Sequence, residues 1–383
     1  MNLKNLDIVV EWCLRERPSL VIVGPEDPLN RGLADQLLAH GIPCFGPSKY
    51  AAQIECDKGW AKDFMQRHEI PTARYKLFSN SGEATEYVKS VAHKAWVVKA
   101  TGLASGKGVL VGGSAEETCL NIDRVLDGNI FGQAGETIVV EELLEGDEIS
   151  ILAFTDGHNV ALMPPAQDHK RAHENDEGPN TGGMGAFCPF YVPPIVTEEI
   201  SYIMKRTVDG LRAEGRTFVG TLFAGFMLTE EGPRVLEFNA RFGDPETQSV
   251  LPLLETDLYE ICLACIEGRL SKIPILWKER SHTCGVVIAS GGYPATAGIG
   301  KQIDGLKEAA ERGVLIFQGG TKLAQDSGKL LSSSGRILTL VACDADPVKA
   351  VETAQSAAAL IRIEDSFYRR DIGKRALKKL STR

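Results

Sequence analysis

Leu236-Glu237-Phe238-Asn239-Ala240-Arg241-Phe242-Gly243-Asp244-Pro245-Glu246 begins as a β-strand and ends in a turn. Glu237 and Asn239 stand two apart, so on an extended chain they share a face and offer two hard oxygens. That donor set suits Mg²⁺, which keeps several waters and bridges substrate phosphates. Arg241, two residues further on, would lie close to a transferred phosphoryl group. The bland alternative is a buried polar pair with a salt bridge. The strand itself reads as the second arm of a hairpin, over 219–229 and 234–239, turning at Glu231-Gly232-Pro233.

Working toward the N-terminus, Glu141-Glu142-Leu143-Leu144-Glu145-Gly146-Asp147-Glu148 ends one strand and starts another. Its backbone groups are free to read an adenine edge while a carboxylate accepts ribose hydroxyls, although in isolation the octet reads as an acidic, solvated turn. Gly102-Leu103-Ala104-Ser105-Gly106-Lys107-Gly108 lies between strands over 96–100 and 109–111, where glycines let backbone N–H groups approach a polyphosphate. It is not a Walker loop, which needs four residues between its glycines and Ser or Thr after the lysine. Nor is it a dinucleotide fingerprint, since it opens a strand rather than a helix. A flexible hairpin turn is the alternative, and Lys99 on the preceding strand supplies a second cation beside it. The stretch 164–194 reads as mostly loop, which is unusual length for a compact domain unless it serves a site. Within it, Pro164-Pro165-Ala166-Gln167-Asp168-His169-Lys170-Arg171 and Gly178-Pro179-Asn180-Thr181-Gly182-Gly183-Met184-Gly185 gather cations and glycines suited to gripping a small acid.

The rest of the 383 residues fixes the setting. At about 150 residues per domain the chain holds two or three domains. The first 47 residues alternate helix and strand, with helices over 3–15 and 29–40 and strands over 20–23 and 42–45, but no strand precedes the first helix. Ser48, Asp57 and Ser114 cap helices, and Thr197 is placed to cap another reaching Glu214. From His282 short strands and one closing helix over 347–359 form a smaller terminal region. The fold class is therefore α/β and α+β, in three parts: residues 1–47, 48–281 with a lid over about 72–144, and 282–383.

Forty-two Lys plus Arg against fifty-one Asp plus Glu give a formal charge of -9, which argues against sequence-blind binding to nucleic acid or an anionic membrane. No apolar run approaches the roughly 20 residues of a membrane helix, and Met1 to Asp7 lack a secretory pattern, so the expected address is the cytosol. Nine scattered cysteines read as reduced thiols, and the one CxxC, Cys262 to Cys265, lies in an apolar helical pattern and reads as core.

Lys99, the 102–108 loop, the 141–148 hinge and the Glu237-x-Asn239 strand together resemble the ATP-grasp fold. The strings PAQDHKR, GPNTGGMGA, EELLEGDEIS and LEFNARFGDPETQ are similar to those of the phosphoribosylamine–glycine ligase family, also called glycinamide ribonucleotide synthetases. The resemblance runs from about Ser19 onward. It implies a truncated Rossmann-like N-domain, central ATP-grasp domains and a small β-rich C-terminal domain.

It also implies a reaction in de novo purine synthesis: ATP and glycine give glycyl phosphate, and the amine of 5-phosphoribosylamine then displaces phosphate. On matching positions, Lys99, Gly106 and Lys107 would contact the ATP phosphates. Glu141 would belong to the nucleotide site, backbone near Glu142 and Leu144 would face adenine, Glu148 the ribose, and Glu237 with Asn239 a Mg²⁺ or Mn²⁺ ion. Lys107 and Arg241 would steady developing charge. Asp168, Lys170, Asn180, Thr181, Gly182, Gly183, Met184 and Arg241 would serve glycine and phosphoribosylamine. Family members open with a strand and a GxGGREH loop that helps hold the 5-phosphate, and this sequence shows neither. The expectation is therefore nucleotide binding with weakened ligation. In animals the family domain is fused to later purine enzymes, so fusion or association with such enzymes is expected. The rival readings are another ATP-grasp carboxylate–amine ligase and a catalytically silent nucleotide-binding subunit.

Overall fold

The computed structural model describes residues 4–91, 95–104, 107–325 and 327–382. The chain divides into two compact units, one of residues 1–163, 193–242 and 257–274, the other of 164–192, 243–256 and 275–383.

The first unit holds three sheets. A parallel pair, Val21–Ile22 with Cys44–Phe45, is the small one. A four-stranded antiparallel sheet runs Tyr75–Phe78, Ile138–Glu142, Trp96–Ala100, Val109–Gly112. Its side chains alternate by the two-residue period of a strand. Trp96, Val98, Ile138 and Val140 pack under the helices Ser81–Ser90 and Ala115–Leu126 with Ala84, Val88, Ile122 and Val125. The opposite face carries Val97, Lys99, Val139 and Glu141, so two charged side chains share a buried surface. The third sheet, also antiparallel, runs Gly232–Asn239, Val219–Thr229, Asp147–Asp156, Val160–Leu162. Its hairpin over Asp156-Gly157 is pinned by the Asp156 carboxylate, which accepts from His158 N at 2.9 Å, Asn159 N at 2.6 Å and Leu270 N at 3.1 Å.

Ser48, Asp57 and Ser114 cap helices as read from the sequence, each side chain accepting a backbone N–H in the first turn. Two helices differ. The segment over 29–40 forms two, Glu26–Asn30 and Leu33–Ala39, because Gly32 takes φ 85 and breaks the ladder. The next long helix is Pro194–Ala213, started by Pro194 at its first position. Thr197 lies inside it, its hydroxyl donating back to the Pro193 carbonyl. Cys262 and Cys265 are wholly buried in the helix Leu258–Ile266, and burial pushes the Cys262 thiol up to about 12.

The second unit is built on a five-stranded antiparallel sheet ordered Leu315–Gln318, Arg336–Asp344, His282–Ala289, Gly185–Cys188, Gln167–Asp168. The helix Pro347–Ala358 packs on its two longest strands. Residues 164–192 are thus less irregular than their composition suggests. They supply two strands of this sheet and a small pair, Arg171–His173 with Glu177–Asn180. These pieces are only two to four residues long, and the longest-range pairing among them joins Gly185–Cys188 to His282–Ala289 about a hundred residues away, so no local pattern announces them.

Candidate active site

In the first unit, the buried sheet face brings Lys99 and Glu141 together. Lys99 Nζ lies 2.5 Å from Glu141 Oε1 and donates to the Leu236 carbonyl at 3.1 Å. The strand bearing Glu237 and Asn239 therefore meets the predicted phosphate lysine at Leu236, immediately before Glu237. Glu141 carries a second cation that the sequence reading missed: Lys62, on the helix Lys58–Arg67, sits 2.5 Å from Oε2. Burial pushes the Glu141 carboxyl up, and Lys99 and Lys62 outweigh it, so the net shift is downward and Glu141 is an anion. Burial likewise lowers Lys62 to about 8, partly opposed by Glu141.

Downstream, Glu237 and Asn239 lie half-buried on one face of their strand. Asn239 Oδ1 accepts from Arg241 Nη2 at 3.2 Å. Arg241 is held from the N-terminal region as well. Its Nη2 is 2.9 Å from Glu55 Oε1, its Nε is 3.4 Å from Glu26 Oε2, and Ala240 N donates to Glu55 Oε2 at 2.7 Å. Glu55 is buried, and burial pushes its carboxyl up to about 7 against the opposing pull of Arg241 and the Ala240 N–H. Lys62, Glu55 and Glu26 escaped the sequence reading. Each lies on a short helix, and its partner is from about eighty to more than two hundred residues away.

The remaining nucleotide candidates lie on turns. Gly102 approaches Ala134 so closely that a Cβ would stand 2.8 Å from Ala134 Cα, and Gly102 N donates to Ala134 O at 3.0 Å. The close approach the loop needs is therefore present at its first glycine. Lys107 is exposed, its backbone N–H bonded to Ala104 O at 2.9 Å. Gly106 lies outside the described residues. Glu142 turns its carboxylate to Arg74, accepting from Arg74 N at 2.9 Å. Leu144 and Glu148 are half-buried on either side of the exposed turn at Glu145 and Gly146.

In the second unit, the loop candidates converge around one turn. The Lys170 carbonyl accepts from Thr181 N at 2.7 Å and from Thr181 Oγ1 at 2.9 Å, and Thr181 Oγ1 in turn accepts from Gly183 N at 3.0 Å. Asn180 pairs with Arg171. Gly183 sits at φ 110, where a Cβ would stand 2.6 Å from Asp168 Oδ1 and 2.3 Å from Pro245 Cδ, so only glycine leaves the Asp168 carboxylate in place. Met184 is fully buried and belongs to the core of this unit. Two further residues meet this turn: Gly182 N donates to Tyr293 Oη at 2.9 Å, and Arg336 Nη1 donates to the carbonyls of Gly182 and Asp244, each at 2.7 Å. Beneath the turn, His169 is buried between Gly185 O and Gly373 N. Burial first, then the Arg369 charge, lowers it to about 4, so it is neutral near pH 7.

Models of the phosphoribosylglycinamide synthetase N domain, ATP-grasp (A) domain and C domain match residues 1–55, 56–247 and 283–375. The chain belongs to the phosphoribosylglycinamide synthetase family. Among relatives of this family it is 47% identical over 386 residues to the trifunctional purine biosynthetic protein adenosine-3 of Gallus gallus, covering all of this chain and 38% of that one. It is 46% identical over 382 residues to the human protein of that name, covering 98% and 37%. The chain spans 28% to 48% of the length of these and similar curated relatives. Among solved structures, phosphoribosylamine–glycine ligase from Thermotoga maritima is 32% identical with a TM-score of 0.83, covering 94% of this chain and 88% of that one. The biotin carboxylase domain of Hydrogenobacter thermophilus 2-oxoglutarate carboxylase, at 15% identity and TM-score 0.68, shares the fold alone.

Proposed function

We propose that this member of the phosphoribosylglycinamide synthetase family joins glycine to 5-phosphoribosylamine at the expense of ATP, through glycyl phosphate. A glycine carboxylate oxygen attacks the γ-phosphorus, the bond to the β-phosphate oxygen breaks and ADP leaves. The amine nitrogen then attacks the acyl carbon, phosphate leaves, and the amine proton passes to solvent. The chain supplies position and charge rather than a nucleophile. In this reading Lys99 and Lys107 hold the triphosphate, and Glu142, Leu144 and Glu148 frame the nucleoside. Arg241, fixed by Glu55 and Glu26, faces the charge that develops on transfer, and Asp168, Lys170 and Asn180 to Gly183 serve the two smaller substrates.

Glu237 and Asn239 fit a Mg²⁺ or Mn²⁺ ion: they are two hard oxygens on one strand face. Among the described residues no cluster of three or more His, Cys, Asp or Glu side chains forms a closed cage, as suits an ion that takes most ligands from phosphate and water. Such an ion, when bound, would neutralise phosphate charge. The buried Lys99–Glu141 pair seated against Leu236 carries the reading, since it places the lysine beside the strand that bears both oxygens.

The reading extends to a cytosolic address and to service beside, or fused to, enzymes of later purine steps; the trifunctional and bifunctional purine biosynthetic relatives support the fusion. Among the described residues no helix is long and apolar enough to cross a membrane. ADP release measured with a coupled assay tests the reaction. Release that requires glycine and phosphoribosylamine together is expected, and release indifferent to glycine overturns it.

A further inference from the structure

The buried face that carries Lys99 gathers two cations around one buried carboxylate. Lys62, Lys99 and Glu141 are each no more than 5% exposed, so two ammonium groups share Glu141, and the charge of the half-buried Glu237 acts on Lys62 as well. A Lys99–Glu141 pair alone would be neutral and cheaper to bury, because each desolvated ion costs several kcal/mol unless compensated. The direction of the Lys62 shift, driven first by burial, reports that cost.

Lys62 also ties the site together mechanically. Its Nζ donates to Thr72 Oγ1 at 2.7 Å, and Thr72 Oγ1 donates to the Val235 carbonyl at 2.6 Å. Its other arm passes through Glu141 and Lys99 to the Leu236 carbonyl. Both arms end on consecutive carbonyls of the strand Gly232–Asn239, immediately before Glu237. A lysine ammonium has three N–H donors, and Lys99 spends two of them on Glu141 and Leu236, so among the described residues the third remains for a ligand.

From this geometry we infer that Lys62, which contacts no substrate, is a positioning residue for the nucleotide. It holds Glu141 so that Lys99 keeps one donor free, sets the sheet of Lys99 in register with the strand of Glu237 and Asn239, and adds a second buried positive charge beside the bound polyphosphate. The inference rests on the proposed ATP chemistry for its ligand class, and it assigns a role to a residue outside the family resemblance described above.

The experiment compares wild type with Lys62→Met, Lys62→Arg and Thr72→Val in the full chain. Affinity for MgADP is read by calorimetry and KM for ATP and for glycine by the coupled assay, with thermal midpoints recorded in parallel. Residues that orient the ligating groups of a charged site are typically worth about 10–100-fold in affinity. Lys62→Met is expected to weaken MgADP binding and raise the ATP KM by at least about tenfold while the glycine KM moves less than about threefold. Lys62→Arg, which keeps the charge, recovers most of the loss. Thr72→Val, which cuts one tether without touching the charge, loses less than Lys62→Met.

Unchanged MgADP affinity in Lys62→Met overturns the inference. So does a rise in both KM values in step with a lowered thermal midpoint, which a merely structural role would give. Wild type that binds MgADP but releases no ADP in response to glycine refutes the proposed ligation and leaves the binding comparison valid. Wild type that binds no nucleotide overturns both.

Discussion

Arg369 is the side chain whose loss should most clearly expose how the second unit holds its glycine-rich turn. It is 2% exposed, donates through Nε and Nη2 to both Asp371 oxygens at 2.8 Å, and gives Nη1 to the Arg171 carbonyl at 3.0 Å. A further pair to Asp176 at 3.0 Å is discounted, because Asp176 is substantially solvated. Asp371 also accepts from Asn175 N at 2.8 Å, so its carboxylate joins the strand Arg171–His173 to residues 369–371 from both sides. Arg369 holds the Asp371 carboxyl down at about 2 against the pull of burial. Replacing Arg369 by Met keeps the volume and strands Asp371 as an uncompensated, largely buried anion, which costs about 3–5 kcal/mol. Local amide exchange should then accelerate roughly 10²–10⁴-fold in the strands Gln167–Asp168, Arg171–His173 and Gly185–Cys188, and stay near wild type in the first unit. Arg369→Lys keeps the charge but not the fork and should fall between. A loss under about 1 kcal/mol, or equal acceleration in both units, would refute the argument that this pair anchors the turn.

Two other outcomes follow from buried titratable groups. His169 has a folded pKa lowered to about 4 from 6.5, so the unfolded chain takes up a proton first as the pH falls. Stability is unaffected above about pH 6.5 and is lost between 6.5 and 4, by up to about 3 kcal/mol relative to His169→Gln, in urea titrations of the two proteins across that window. A gap between them that stays constant with pH contradicts the assignment of a buried neutral ring. Glu55→Gln keeps an acceptor for Ala240 N but removes the charge that faces Arg241 once the pH is above about 7, where the assay is run because the Glu55 carboxyl is then ionised. Steady-state kinetics should show kcat reduced by about tenfold or more with the ATP KM nearly unchanged, as for loss of a group that orients another. An unaltered kcat would show that Arg241 needs only Glu26 and Asn239.

The two-residue period made Glu237 and Asn239 legible as a pair, and Lys99 was legible as a cation on the strand leading into the 102–108 loop. The caps Ser48, Asp57 and Ser114 read equally well, because a cap is satisfied within one turn of chain, whereas Thr197 falls inside the helix that Pro194 starts. What was illegible depended on distant partners. Lys62 looks like a surface lysine until Glu141 is brought to it across the sheet, and Glu55 looks like a helix-surface acid until Ala240 and Arg241 arrive from 185 residues away. Gly185–Cys188 carries little strand propensity and is extended only because His282–Ala289 pairs with it. Arg336 and Tyr293 gave no motif, and their contacts with Gly182 are made by tertiary placement alone.

The clamp formed by Arg369, Asp371 and Gly373 on residues 169–176 has a temporal side. The partners stand 196 to 204 residues apart in the chain. At roughly 5–20 residues per second a ribosome needs about 10–40 s to bridge that interval. Every residue of the first unit is polymerised by Pro274, whereas the His169 turn waits for its last anchors until Arg369 to Gly373 emerge. During translation, one half of the molecule can thus reach its final form while the other is still unfinished.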